Sequence, residues 1–218
     1  MRAMRRARAA ALAALASGLG AAPAALGASR PAASCAPRGA RVLARSAPLR
    51  VYETRPRSAG EPRAVLACLA GHRGHMTLLA ATRLNLHSSL ARFELAGHVV
   101  AYLETQRGVD SGTTKLVVVD VGARRVLHAI EAGSYVDAGL IFDETVIRFL
   151  VTSRGSLAWT VAREDHRQPA VQSVWAAPRE GPPALLDSGR SIDAGSLALA
   201  GTTLSWIDGG AQRSAPMP

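Results

Sequence analysis

Val99-Val100-Ala101-Tyr102-Leu103-Glu104, Gly108-Val109-Asp110-Ser111-Gly112-Thr113, Lys115-Leu116-Val117-Val118-Val119-Asp120, Val121-Gly122-Ala123-Arg124 and Arg125-Val126-Leu127-His128-Ala129-Ile130 follow one another along the chain. The first, third and fifth of these are rich in residues that fit a pleated, half-buried surface, and the others supply the Gly, Asp and Ser that turn a backbone. Val117-Val118-Val119 has no polar alternate, which predicts a strand buried on both faces. Three consecutive strands on short loops are an antiparallel meander.

The same layout repeats on either side. Upstream, Val42-Leu43-Ala44 and Leu49-Arg50-Val51-Tyr52 flank Pro48, Pro56 to Pro62 forms a turn cluster, and Ala64-Val65-Leu66-Ala67-Cys68 and Met76-Thr77-Leu78-Leu79 return. Downstream, Ser156–Val161, Gln172–Ala176 and Pro183–Leu186 make a third unit, and Ser196–Leu199 with Thr203–Ile207 make a partial fourth that ends on the hairpin signal Asp208-Gly209-Gly210. Tyr52, Tyr102, Trp159 and Trp206 each close an alternating apolar segment, 50, 57 and 47 residues apart. A period of about 50 residues with several short strands per unit is a propeller-type pattern. Ala96-Gly97-His98-Val99-Val100-Ala101-Tyr102 aligns with Ala200-Gly201-Thr202-Thr203-Leu204-Ser205-Trp206, and Gly155-Ser156-Leu157-Ala158-Trp159 is a looser copy. The expected sense is a glycine at a tight turn, alternation into the core, then an aromatic filling the space between sheets. The only helical candidate is Arg83–Phe93. The fold class expected is therefore all-β, with about three and a half propeller-like meander units forming an incomplete propeller or a compact sheet stack.

These units resemble the WD40-like or TolB-like propeller repeats of exported, actinobacterial-type proteins of unknown function. Leu185-Leu186-Asp187-Ser188-Gly189, Ser196–Gly201, Leu204-Ser205-Trp206 and the echo Leu95-Ala96-Gly97 with Ala101-Tyr102 carry the resemblance, which spans roughly residues 40–215. It implies four or more blades. With fewer complete units here, two outcomes fit: a curled half-propeller, or a homodimer that completes a ring.

Residues 1–28 read as a signal peptide. Arg2, Arg5, Arg6 and Arg8 form a basic start, an Ala-rich apolar stretch follows, and Leu26-Gly27-Ala28 offers cleavage before Ser29. Residues 29–40 read as a linker or N-terminal arm, and 41–218 as a single β-repeat domain. Cys35 and Cys68 are the only cysteines; export makes a disulfide the expected state, with two buried free thiols or lipidation of Cys35 as the alternatives. The formal charge is +10, four of it from the leader arginines, and Lys115 is the only lysine. The arginines are scattered without a basic tract or interleaved aromatics, so no nucleic-acid partner is expected. Nor is a stable membrane span expected once the leader is removed.

Candidate chemistry is sparse. Asp110-Ser111-Gly112 and Asp187-Ser188-Gly189 have the wording of aspartic-protease motifs, but these residues also form ordinary turns. His72 and His75 have a metal-compatible spacing but lack a fixed third ligand among His87, Glu104 and Asp110; no metal and no cofactor is expected. His98, His128 and His166 have no evident partners, and no P-loop, dinucleotide fingerprint or serine-nucleophile elbow is present. Among the tryptophans, Trp175 lies off the repeat and is the candidate for an exposed ligand contact. The function expected is an exported, non-enzymatic binding or scaffold module, secreted or held at the cell envelope, with a protein or a cell-envelope polymer as partner. The alternative is a hydrolase of the envelope or extracellular space whose catalytic residues come from separate loops.

Overall fold

Alternation and turn chemistry act together to make every regular element a strand among the described residues. The computed structural model describes residues 35–54, 63–72, 74–80, 87–136, 142–165 and 168–218, all within the unit Ala32–Pro218. The signal peptide, the first part of the arm, the Pro56–Pro62 turn cluster and His166 lie outside the described residues.

Fifteen described strands form four antiparallel meanders in chain order. The first sheet holds β1 (Arg41–Arg45), β2 (Leu49–Glu53), β3 (Ala64–Leu69) and β4 (Met76–Ala80). The second holds β5 (His87–Ala96), β6 (Val99–Arg107), β7 (Ser111–Asp120) and β8 (Arg125–Val136). The third holds β9 (Phe142–Val151), β10 (Leu157–Asp165), β11 (Gln168–Ala177) and β12 (Ala184–Gly189). The fourth has three strands, β13 (Ile192–Ala200), β14 (Thr203–Asp208) and β15 (Ala211–Pro216). Residues 87–93, inside the helical candidate Arg83–Phe93, are part of β5; its polar alternation suits a strand at least as well.

The sheets stack in sequence. β1 meets β5, β5 meets β9 and β9 meets β13, so the leading strands of successive sheets run together, as in propeller blades. A separate apolar core fills each seam. Leu49, Val51, Ala67, Val100, Tyr102 and Val119 join the first two sheets; Leu103, Leu116, Phe149, Leu157 and Trp159 join the second and third; Ala158, Val174, Ile192, Leu204 and Trp206 join the last two. No core cluster of described residues joins the fourth sheet to the first, and none of the sheets closes on itself.

Tyr52, Tyr102, Trp159 and Trp206 sit in β2, β6, β10 and β14, the second strand of each sheet, and each is 2–5% exposed. Tyr102, Trp159 and Trp206 all face the preceding sheet. Burial pushes the Tyr102 phenol well up, with the Glu104 charge adding to it, and burial raises that of Tyr52 as well. The repeated glycines precede these strands: Gly97 (φ 60°), Gly155 (φ 94°) and Gly201 (φ 61°) occupy the left-handed region that turns from the first strand into the second.

Tyr52 has no preceding sheet among the described residues. Its place is taken by the arm, where Cys35, Ala36 and Ala40 pack with Tyr52, Leu66 and Cys68. The disulfide expected from the sequence is present between Cys35 and Cys68, with Cα atoms 5.9 Å apart, and is the kind of bond that an oxidising environment sustains. The arm thus covers the face of the first sheet that carries Tyr52.

Candidate functional site

The seam between the second and third sheets is closed at one end and open at the other. At the closed end the β7–β8 turn is organised by Asp120, which is buried. Its Oδ1 accepts the Ala123 N–H at 2.9 Å, and its Oδ2 lies 3.5 Å from both Arg179 Nη2 and His98 Nε2. Arg179 belongs to the β11–β12 loop and also donates to the Arg154 carbonyl at 3.0 Å, so one guanidinium ties the β9–β10 and β11–β12 connections of the third sheet to the second. His128, on β8, is buried beside this tie and its Nε2 has no hydrogen-bond partner. Burial lowers its affinity for a proton, while the nearby backbone of Gly155 and Pro178 partly offsets this.

Midway, two bulges meet. Register slips at Ala91/Glu94 in β5 and at Thr160/Val161 opposite β9, leaving irregular backbone on both strands. Arg92, with φ 54°, reaches from the first bulge to donate to the carbonyls of Val146 and Ile147 and lies 5.5 Å from the Phe149 ring centroid. The guanidinium satisfies carbonyls displaced by the bulge and so fixes β9 against β5. Farther along, β8 and β9 approach so closely at Gly133 that a Cβ there would collide with the Glu144 carbonyl.

Alongside Ile130, Glu131 and Ala132, just before Gly133, the sheets part. A hollow of about 410 Å³ lies between the outer strand of the second sheet and the face of the third. Trp159 and Trp175 are register partners on β10 and β11, so their side chains share a face; the rings stack 6.1 Å apart at 11°. Trp159 is buried, whereas Trp175 is half-buried and spreads over the shelf that β11 and β12 extend past β8. Its Nε1 donates to Ser173 Oγ at 2.9 Å, and its neighbour across the ladder is Leu185, 51% exposed. Glu144 and Arg163 line the hollow and pair at 3.7 Å. Glu144 also borders a second hollow of about 350 Å³, lined by Thr105, Arg107, Thr114, Ser134 and Asp143. There Thr105 Oγ1 and Thr114 Oγ1 are 3.4 Å apart and Asp143 Oδ1 accepts from Thr145 Oγ1 at 3.3 Å.

The structure thus places Trp175 on a concave surface with polar groups nearby. The other sequence candidates do not assemble. Asp110 lies in the β6–β7 loop, while Asp187 is on β12, where its Oδ2 accepts the Trp206 indole N–H at 2.7 Å. The two Asp-Ser-Gly strings are therefore on different sheets, and the second serves a seam. His72 and His75 line a small hollow of about 50 Å³ with Gly74 and Arg124, and no metal-holding group of three His, Cys, Asp or Glu occurs among the described residues. The Glu144–Arg163 pair escaped the sequence reading because β9 carried no recognised strand signal. Its Thr145-Val146-Ile147-Arg148-Phe149-Leu150-Val151 run, rich in β-branched and aromatic residues, is the available cue.

Comparison with known protein families, curated proteins and solved structures finds no match to this chain.

Proposed function

We propose that the chain is an exported, non-enzymatic binding module of the WD40-like or TolB-like repeat type, and that it holds its ligand in the groove between the second and third sheets. The carrying observation is the Trp159–Trp175 stack. One ring completes a core seam at its repeat position; the other, beyond the repeat, spreads along an open groove. Binding sites are commonly concave, largely apolar and furnished with a few convergent polar groups, and this groove has that make-up in Trp175, Leu185, Ser173, Glu144 and Arg163. The Cys35–Cys68 bond supports placement outside the reducing cytoplasm. The groove side chains suit recognition: serine hydroxyls, indole rings and an ion pair.

Screening the full, oxidised chain against a small-fragment library by ¹⁵N-detected NMR tests the site. Hits are expected to shift the Trp175 indole and the Ser173 and Leu185 amides. Hits that cluster instead around His98, Asp120 and Arg179 would move the site to the closed end, where the catalytic alternative would have its best carboxylate–histidine pair.

A further inference from the structure

We infer that the groove binds a neutral glycan chain of at least two sugar units, one lying against Trp175 and the next reaching past Glu144 into the second hollow. This rests on the groove being the ligand site. A sugar ring is an amphipathic disc, with C–H groups on its faces and hydroxyls around its edge. Trp175, backed by Trp159 and flanked by Leu185, offers a rigid flat apolar surface whose position is fixed by stacking on one side and by the bond to Ser173 on its edge. Such a surface holds a disc by its face and leaves the edge to be read by polar groups.

Those polar groups are charge-balanced. Together the two hollows are lined by three arginines, Arg92, Arg107 and Arg163, and three carboxylates, Glu131, Asp143 and Glu144; Glu144 pairs with Arg163, and Arg92 donates to the Val146 and Ile147 carbonyls. A charged ligand would need an uncompensated opposite charge, or would have to break a pair and leave its partner bare. Hydroxyls need neither, because each can accept from a guanidinium and donate to a carboxylate with the pair intact. Ser173, whose oxygen already accepts the Trp175 N–H, has its own proton to give. Ser188, Thr105 and Thr114 can act as donor or acceptor.

Length follows from Glu144, which borders both hollows; each has the volume of a ligand site, within about 300–1,000 Å³. The groove is distinguished by being neutral.

The test is a printed array of neutral, anionic and amine-bearing glycans probed with the full, oxidised chain at physiological salt, followed by titration of each hit. Neutral glycans of two or more units should bind, and their monosaccharides should bind at least about tenfold more weakly. Trp175→Ala should lower affinity about tenfold or more, as truncation of a central aromatic contact does. Glu144→Gln should lower it several-fold with an unchanged melting temperature. Leu185→Arg, at an exposed site that tolerates the change, blocks the same surface should Trp175→Ala fold poorly. An array with no bound glycan, a preference for sulfated, uronic or amine-bearing glycans, or monosaccharides binding as well as oligomers would each overturn the inference, whereas the groove reading would stand if fragments still map there. Glycan binding indifferent to Trp175→Ala, Glu144→Gln and Leu185→Arg would remove both.

Discussion

Trp159 and Trp206 occupy the same place in consecutive sheets, yet their seams behave differently. Trp206 closes its seam with a bond to Asp187 Oδ2 of the sheet before it, while Trp159 reaches no such partner and is covered by Trp175 of its own sheet. The residue beside each repeat aromatic on the third strand follows the difference: Leu66 opposite Tyr52, Val117 opposite Tyr102, Trp175 opposite Trp159 and Arg213 opposite Trp206. Leucine or valine completes a buried face and arginine is solvated. Only the tryptophan makes a broad apolar shelf. The repeat therefore supplies the seam, and one off-repeat substitution converts a seam into a groove.

The sharpest way to break this comparison is Trp206→Ala. Loss of a large buried aromatic costs about 3–5 kcal/mol, and here it also strips Asp187 of its donor. Against a typical margin of about 5–15 kcal/mol, a large fall in melting temperature is expected by calorimetry. Trp175→Ala should cost only about 1–2 kcal/mol, chiefly the lost stacking. Equal losses at the two positions would mean that the shelf is as much a part of the core as the seam.

The first sheet offers a third variation, since its repeat aromatic is covered by the disulfide-held arm. Replacing both Cys35 and Cys68 by serine should destabilise by about 3–4 kcal/mol in the chain-entropy account of a loop with sequence separation 33. Tyr52 should then become accessible to solvent quenchers. A double variant with the parental stability would show that the arm caps nothing. The tie at the last seam is tested more gently. Asp187→Asn keeps an acceptor for the Trp206 N–H but removes the charge, and should cost about 1–2 kcal/mol, less than Asp187→Ala.

Much of the architecture was legible because it depends on local pattern. Alternation, turn residues and the spacing of four aromatics located the second strand of every sheet, and the paired cysteines located the clip. The leading strands were harder to see. β5, β9 and β13 carry bulges at Ala91/Glu94, Val146–Arg148 and Asp193/Ala198, which interrupt the two-residue period. The irregular backbone is satisfied by distant groups that no local reading supplies: Arg92 for Val146 and Ile147, and the Thr160 hydroxyl for the Ala194 carbonyl at 2.7 Å. Trp175 could be singled out because it broke the repeat. Its groove could not, because Glu144, Arg163 and the shelf meet only through the third sheet's register and its displacement from the second.

The smallest expected effect probes the closed end of the groove-bearing seam. His128 is buried between the second and third sheets, its Nε2 has no partner, and Asp120, the nearby carboxylate, is engaged by Arg179, His98 and the Ala123 N–H. Burial favours the neutral imidazole, so the proton affinity of His128 is lower in the folded chain than in the unfolded one. The unfolded state then binds more protons wherever the pH lies between the lowered folded value and the ordinary value of about 6.5. Stability contributed by this residue is complete above that ordinary value and is lost as the pH falls through the window, at no more than about 1.4 kcal/mol per pH unit for a single proton. Melting temperatures at pH 5 and pH 8 should therefore differ more in the parent chain than in His128→Leu, whose side chain has similar bulk and no charge to acquire. The same acid sensitivity in both would place the responsible group elsewhere. Loss of sensitivity in His128→Leu, with fragment binding in the groove unchanged at pH 8, would show that one seam holds a closed, pH-dependent end and an open end that recognises ligand independently of it.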